Sequence, residues 1–137
     1  MIRAMVMTHG DIGRELVRVT EMILGPITGL TARTNHGKSA ADITAEIKIW
    51  LEDGNDPGRE GGSPSGGNLI LLDDYGGSCA TSAQLACGPN PNTAIVSGVN
   101  LAMLLGFATW RDSGGFDDLV ARIVQKGREA IILVGRH

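Results

Sequence analysis

Five residues in the middle of the chain, Asn68 to Leu72 (NLILL), narrow the possible folds more than any other stretch. Successive side chains of a strand point to opposite faces. Consecutive apolar side chains on so short a run therefore leave no face for water. Strands of this kind belong to parallel sheets covered by helices on both sides. Such a sheet needs helices between its strands, and the rest of the chain supplies them.

Ile2 to Met7 is another short apolar run and reads as a first strand. Residues 11–24 place Ile12, Leu16, Val19, Ile23 and Leu24 at helical spacing, and Gly25-Pro26 stops that helix. Ile27 to Ala32 reads as a second strand. Ser39 to Leu51 repeats the helical period through Ile43, Ile47, Trp50 and Leu51, with Ser39 as N-cap and Asp42 at the capping-box position. Residues 53–67 (DGNDPGREGGSPSGG) form a polar, glycine-rich surface loop within one domain. After the NLILL strand, residues 78–87 read as a helix and Thr93 to Ser97 as a strand. Leu101 to Trp110 and Phe116 to Lys126 read as helices, and Ala130 to Val134 (AIILV) as a last short strand. The expected fold is α/β: a doubly wound, mostly parallel central sheet of about four parallel strands, with helices on both faces.

Composition bounds the function. A chain of 137 residues is one domain by length, spanning 1–137. Apolar residues make up 42% and charged residues 20%, as in ordinary globular proteins. The net charge of −3 provides no footprint for nucleic acid. Two cysteines, Cys79 and Cys87, are too few for a disulfide framework and read as buried, inert thiols of a reducing compartment. No basic, apolar and cleavage-site leader opens the chain, and no apolar run reaches the ~18 residues that span a membrane. A cytoplasmic protein is expected. Trp50 and Trp110 read as packing or interface anchors, and His36 as a surface residue.

Open α/β sheets bind ligands outside the carboxyl ends of their strands, at the point where strand order reverses. The stretch MVMTHGDIG, residues 5–13, ends the first strand on His9 beside Gly10. Asp73 and Asp74 follow the NLILL strand. Right-handed crossovers bring both segments to one edge of the sheet. A carboxylate bound to one imidazole nitrogen fixes the tautomer and frees the other nitrogen as a general base, a metal ligand or a phosphoryl acceptor. Gly76, Gly77 and Ser78 lie between strand and helix, where exposed backbone N–H groups make an anion site. Beside an aspartate and opposite a histidine, an oxyanion such as phosphate is the natural ligand. The chain contains neither a Walker lysine motif nor GxGxxG, so no nucleotide site is expected.

The segments THG at 8–10, LLDDYGGS at 71–78, VSGVNLAML at 96–104 and FDDLVARIVQKGREAI at 116–131 resemble the IIA component of the mannose family of the bacterial sugar phosphotransferase system. The resemblance covers nearly the whole chain. It implies that His9 accepts a phosphoryl group from the phosphocarrier protein HPr and passes it to a IIB component. It implies that Asp73 orients His9, and that Ser78 lies at the active site. Gly10, Gly76, Gly77 and Ser78 would bind the phosphate, with no metal and no cofactor. Membrane IIC and IID components are implied as indirect partners, together with a homodimer in which AIILV is the strand that family members can exchange. The chain ends at His137 without an attached IIB domain, so a free-standing IIA component is expected.

Several residues depart from the family pattern. TARTNHGKS lacks the usual acidic turn, Cys79 replaces a common proline, and residues 53–67 are long. Asp74 adds negative charge where phosphate must arrive. Three alternatives stand beside the transport reading: a regulatory phosphoprotein without a transport role, a phosphoryl donor subunit of dihydroxyacetone kinase, and a module binding metal through His9, Asp73 and Asp74.

Overall fold

The computed structural model describes residues 1–55 and 66–136. Strand β1 (Arg3–Thr8) is followed by helix α1 (Ile12–Leu24), β2 (Leu30–Thr34), α2 (Ala40–Asn55) and β3 (Asn68–Leu72). Then come α3 (Ser78–Cys87), β4 (Thr93–Ser97), α4 (Leu101–Trp110) and α5 (Phe116–Glu129). The four strands form one sheet in the order β2-β1-β3-β4, every neighbouring pair parallel.

The period of two along β1 and β3 divides the core in half. Ala4, Val6, Leu69 and Leu71 face one way, onto Val17 of α1, Leu104 and Phe107 of α4, and Leu119 and Ile123 of α5. Met5, Met7, Ile70 and Leu72 face the other way, onto Ile43, Ile47 and Trp50 of α2 and Cys79, Ala80 and Ala83 of α3. Each fully buried aliphatic side chain contributes about 1.5–3 kcal/mol of transfer free energy. Both faces are thus covered, as the unbroken apolar run of β3 requires. Among the described residues, no helix is long and apolar enough to cross a membrane.

Local signals explain the helix boundaries. The Ser39 hydroxyl accepts from the Asp42 N–H (3.1 Å) while the Asp42 carboxylate accepts from the Ser39 N–H (3.0 Å), a reciprocal capping box at the start of α2. These bonds hold the Asp42 carboxyl below its ordinary pKa, the bond from the Ser39 backbone N–H contributing most. Asn100 caps α4 by accepting from the Met103 N–H (3.1 Å) and ties it to α5 by donating to the Gly127 carbonyl (3.0 Å).

Three expectations need correction. Strand β2 covers 30–34 rather than 27–32, because Thr28 and Gly29 turn first and Gly29 takes a φ of 83°. Helix α2 continues past Leu51 to Asn55, so the loop expected over 53–67 starts later; its residues 56–65 lie outside the described residues. Ala130 to Val134 forms no strand. A strand exists by pairing, and here Ile131, Ile132, Leu133 and Val134 are exposed beyond the end of α5.

Helix α1 packs so closely on β1 that a side chain at one position would press on its buried neighbours. A Cβ on Gly13 would lie 3.0 Å from Thr8 Oγ1 and 3.1 Å from Val6 Cγ1, both fully buried. The same Thr8 Oγ1 accepts from the Gly13 N–H at 2.8 Å. Gly13→Val should therefore push the helix off the strand and cost about 2 kcal/mol, read as a lower urea midpoint at unchanged slope.

Candidate functional site

Strand order reverses between β1 and β3. From β1 the chain moves outward to β2 through α1 on one face, then returns past β1 to β3 through α2 on the other. The two crossovers diverge there and leave a crevice at the carboxyl ends of β1 and β3. The β1–β3 register pairs Met7 with Leu72, so the residues just beyond emerge side by side.

Asp73 follows Leu72 directly, and His9 follows Met7 after Thr8, which still pairs with Thr34 of β2. The Asp73 Oδ2 lies 3.0 Å from His9 Nδ1 and also accepts from the His9 backbone N–H at 3.2 Å. With the proton on Nδ1, the ring donates to Oδ2 and Nε2 keeps its lone pair. The aspartate side chain is 14% exposed and the histidine 45%, so the carboxylate is tucked in while the ring reaches solvent. The second Asp73 oxygen, Oδ1, is buried and has no hydrogen-bond partner among the described residues.

The Gly76–Ser78 turn crosses the other side of the ring. A Cβ on Gly77 would stand 3.1 Å from His9 Cε1 and 3.2 Å from Nε2. Glycine there lets the backbone approach the free nitrogen. Ser78 opens α3, whose N-cap Gly77 is extended and carries no side-chain cap, so the helix start directs its backbone N–H groups into this region.

Two of the expected phosphate donors are already engaged. Gly10, at a φ of 55°, donates its N–H to Asn35 Oδ1 at 3.3 Å. Gly76 donates its N–H to Asp74 Oδ1, also at 3.3 Å. Asn35 in addition donates its own N–H to the Thr8 carbonyl at 3.1 Å, so it brackets His9 from both sides. Sequence reading missed Asn35. Its only trace is an Asn-His-Gly turn directly after β2, the strand beside β1.

The remaining candidates lie apart from this pair. His36 is exposed. Among the described residues, no three His, Cys, Asp or Glu side chains are grouped to hold a metal, and the Asp74 carboxylate turns to Gly76 instead. Arg33 and Lys38 flank the β2–α2 turn and both pair with Glu46, at 3.1 and 2.7 Å. Trp50 is buried in the α2 face of the core, and Trp110 lies under the Arg122 guanidinium at 4.1 Å from the ring centre. Burial pushes the Cys79 thiol up, with a smaller contribution from the Asp73 charge, and burial alone pushes Cys87 up to about 11.

Sheet order and crevice together define the class: a doubly wound α/β domain with a histidine–aspartate pair at its switch point. The family described as PTS system fructose IIA component matches residues 63–124. The PTS system mannose-specific EIIAB component of Escherichia coli (strain K12) is 28% identical over 140 residues, 95% of this chain and 38% of that protein. The mannose/sorbose specific IIA subunit from Enterococcus faecalis is 26% identical with a TM-score of 0.77, covering 98% of this chain and 96% of that one. Component EIIA from Streptococcus agalactiae shares the fold, with a TM-score of 0.83 at 21% identity over 97% of each chain. By these matches the chain is similar to mannose-family IIA components of the phosphotransferase system. It spans 38% of the length of the curated relatives it matches.

Both cysteines should behave as inert thiols in the folded protein. At pH 8 a thiol with a pKa of about 11 is about 0.1% thiolate, and only the thiolate attacks. Iodoacetamide labelling of Cys87 at pH 8 should run more than about tenfold slower in the native protein than in urea, and Cys79 should remain unlabelled until unfolding.

Proposed function

We propose that this chain is a phosphoryl carrier of a phosphoenolpyruvate-dependent sugar phosphotransferase system, with His9 as acceptor, phospho-HPr as donor and a IIB component as recipient. The observation that carries the reading is the His9–Asp73 bond at 3.0 Å, which leaves Nε2 free beside the Gly77 backbone. The family match supports the carrier role.

In the transfer step, the Nε2 lone pair of His9 attacks the phosphorus of phospho-HPr. The P–N bond of the donor breaks, and its electron pair returns to the donor imidazole. No proton is released, because the Nδ1 proton of His9 stays in its bond to Asp73. The imidazole gains positive charge as the new bond forms, and the Asp73 carboxylate stabilises it. Charge on the three equatorial oxygens is spread over the backbone N–H groups of the 76–78 turn and the start of α3. Onward transfer repeats the step in reverse on the IIB nucleophile. Both ends are high-energy phosphoryl bonds, so the relay is nearly balanced, and the protein's task is positioning.

Location in the cytoplasm, membrane IIC and IID components as indirect partners, and a homodimer belong to the same reading. The dimer is supported by the exposed run Ile131–Val134 and by the open outer edge of β4. Contiguous apolar residues and an unpaired strand edge are both surfaces that proteins cover. Exchange of residues 130–134 between two copies would cover both at once. A regulatory role would use identical chemistry on His9.

Incubation with enzyme I, HPr and phosphoenolpyruvate should yield an acid-labile phosphohistidine. The label should vanish in His9→Ala, and its rate of appearance should fall about tenfold or more in Asp73→Asn. No label on the wild type, or equal label on His9→Ala, overturns the proposal. Light scattering should give the mass of a dimer for the full chain and of a monomer after deletion of residues 130–137.

A further inference from the structure

We infer that the Asp74 carboxylate competes with the phosphoryl group for the turn beside His9, lowering the phosphorylated fraction and raising its tendency to transfer onward. The inference rests on His9 being the acceptor.

Position is the first support. The turn that begins at Asp74 is the one whose Gly77 backbone would put a Cβ 3.2 Å from Nε2. Asp74 does not point away from this turn. Its Oδ1 accepts from the Gly76 N–H at 3.3 Å, and its Oδ2 lies 3.9 Å from where a Gly76 Cβ would stand. A carboxylate oxygen therefore already sits on an amide of the anion-binding turn, in a bond long enough to be weak.

Charge is the second. The incoming phosphoryl group carries about two negative charges at neutral pH. If Asp74 stays on the Gly76 N–H, the phosphoryl group loses that donor and meets a carboxylate within the same turn. If Asp74 swings out, its own bond is lost. Both routes raise the free energy of the phosphorylated form relative to the free form. The adjacent Asp73 behaves differently, because its Oδ2 receives two N–H groups from His9 itself and gains from positive charge on that ring. The chemistry of the step is unchanged: one P–N bond breaks on the donor and one forms on His9. What changes is the equilibrium between them.

The test separates charge from shape. The full chain is equilibrated with enzyme I, HPr and phosphoenolpyruvate at fixed ratios of phospho-HPr to HPr. The ratio of phosphorylated to free protein is then measured for wild type, Asp74→Asn and Asp74→Glu. Asparagine keeps the oxygen that accepts from Gly76 but removes the charge, so its ratio should rise about threefold to tenfold, with slower loss of label when excess unphosphorylated HPr is added as acceptor. Glutamate keeps the charge and should stay within about twofold of wild type. An unchanged or lower ratio in Asp74→Asn overturns the inference, as does an equal rise in Asp74→Glu. Absence of label on the wild type instead overturns the acceptor reading itself, so the two failures are distinct.

Discussion

The parallel pairing of β1 with β3 is the constraint on which the rest depends. Met7 sits opposite Leu72, and within two residues of that pair the chain presents Asp73 and His9 at the same edge. A shift of two residues would carry Asp73 about 7 Å along the strand and out of reach of the imidazole. A shift of one would turn Leu69 and Leu71 toward α2 and α3 and reverse the core. The burial of Ala4, Met5, Val6 and Met7 on one strand and Leu69 to Leu72 on the other, all at 0–1% exposure, therefore fixes the geometry of the site as well as the fold. Packing energy and chemical alignment come from the same side chains.

Around that pair, polar groups are set by the backbone rather than by each other. Thr8 anchors the start of α1 through Gly13, Asn35 bonds on both sides of His9, and Asp73 holds the histidine by its ring and by its amide. His9 is thus fixed at several backbone points while its Nε2 remains open. A histidine tethered only by its side chain would lose that orientation with each rotamer change.

How much of this was legible depended on whether the signal was local. NLILL declared a strand covered on both faces because no other arrangement hides four adjacent apolar side chains. The Ser39–Asp42 capping box was likewise written into a spacing of three residues, whereas the Asn100 cap emerged only from the structure. The His9–Asp73 pair could be read because parallel strands bring both to one edge. Side-chain direction could not be read. Gly10 and Gly76 had the right residue type for phosphate donors, yet Asn35 and Asp74 reach those amides through rotamers that no pattern encodes. The start of β2 was misplaced because Ile27 is apolar enough for a strand, and only the left-handed φ of Gly29 shows that the chain is still turning there. AIILV has every local mark of a strand and lacks the one thing that composition cannot supply, a neighbour.

Counting helices between strands gives that last segment a direction. One helix carries the chain from the carboxyl edge of a parallel sheet back to the amino edge, ready for the next parallel strand. After β4 there are two, α4 and α5, joined by the short turn 111–115 and so antiparallel to each other. The chain is therefore back at the edge where β4 ended when α5 stops at Glu129, and Ile131 accordingly lines a groove with Ser97 and Gly98. An even number of crossings reverses the sense of the next extended segment. Residues 130–134 can join their own sheet only against the direction of its four strands, and they set out from the same rim that carries His9.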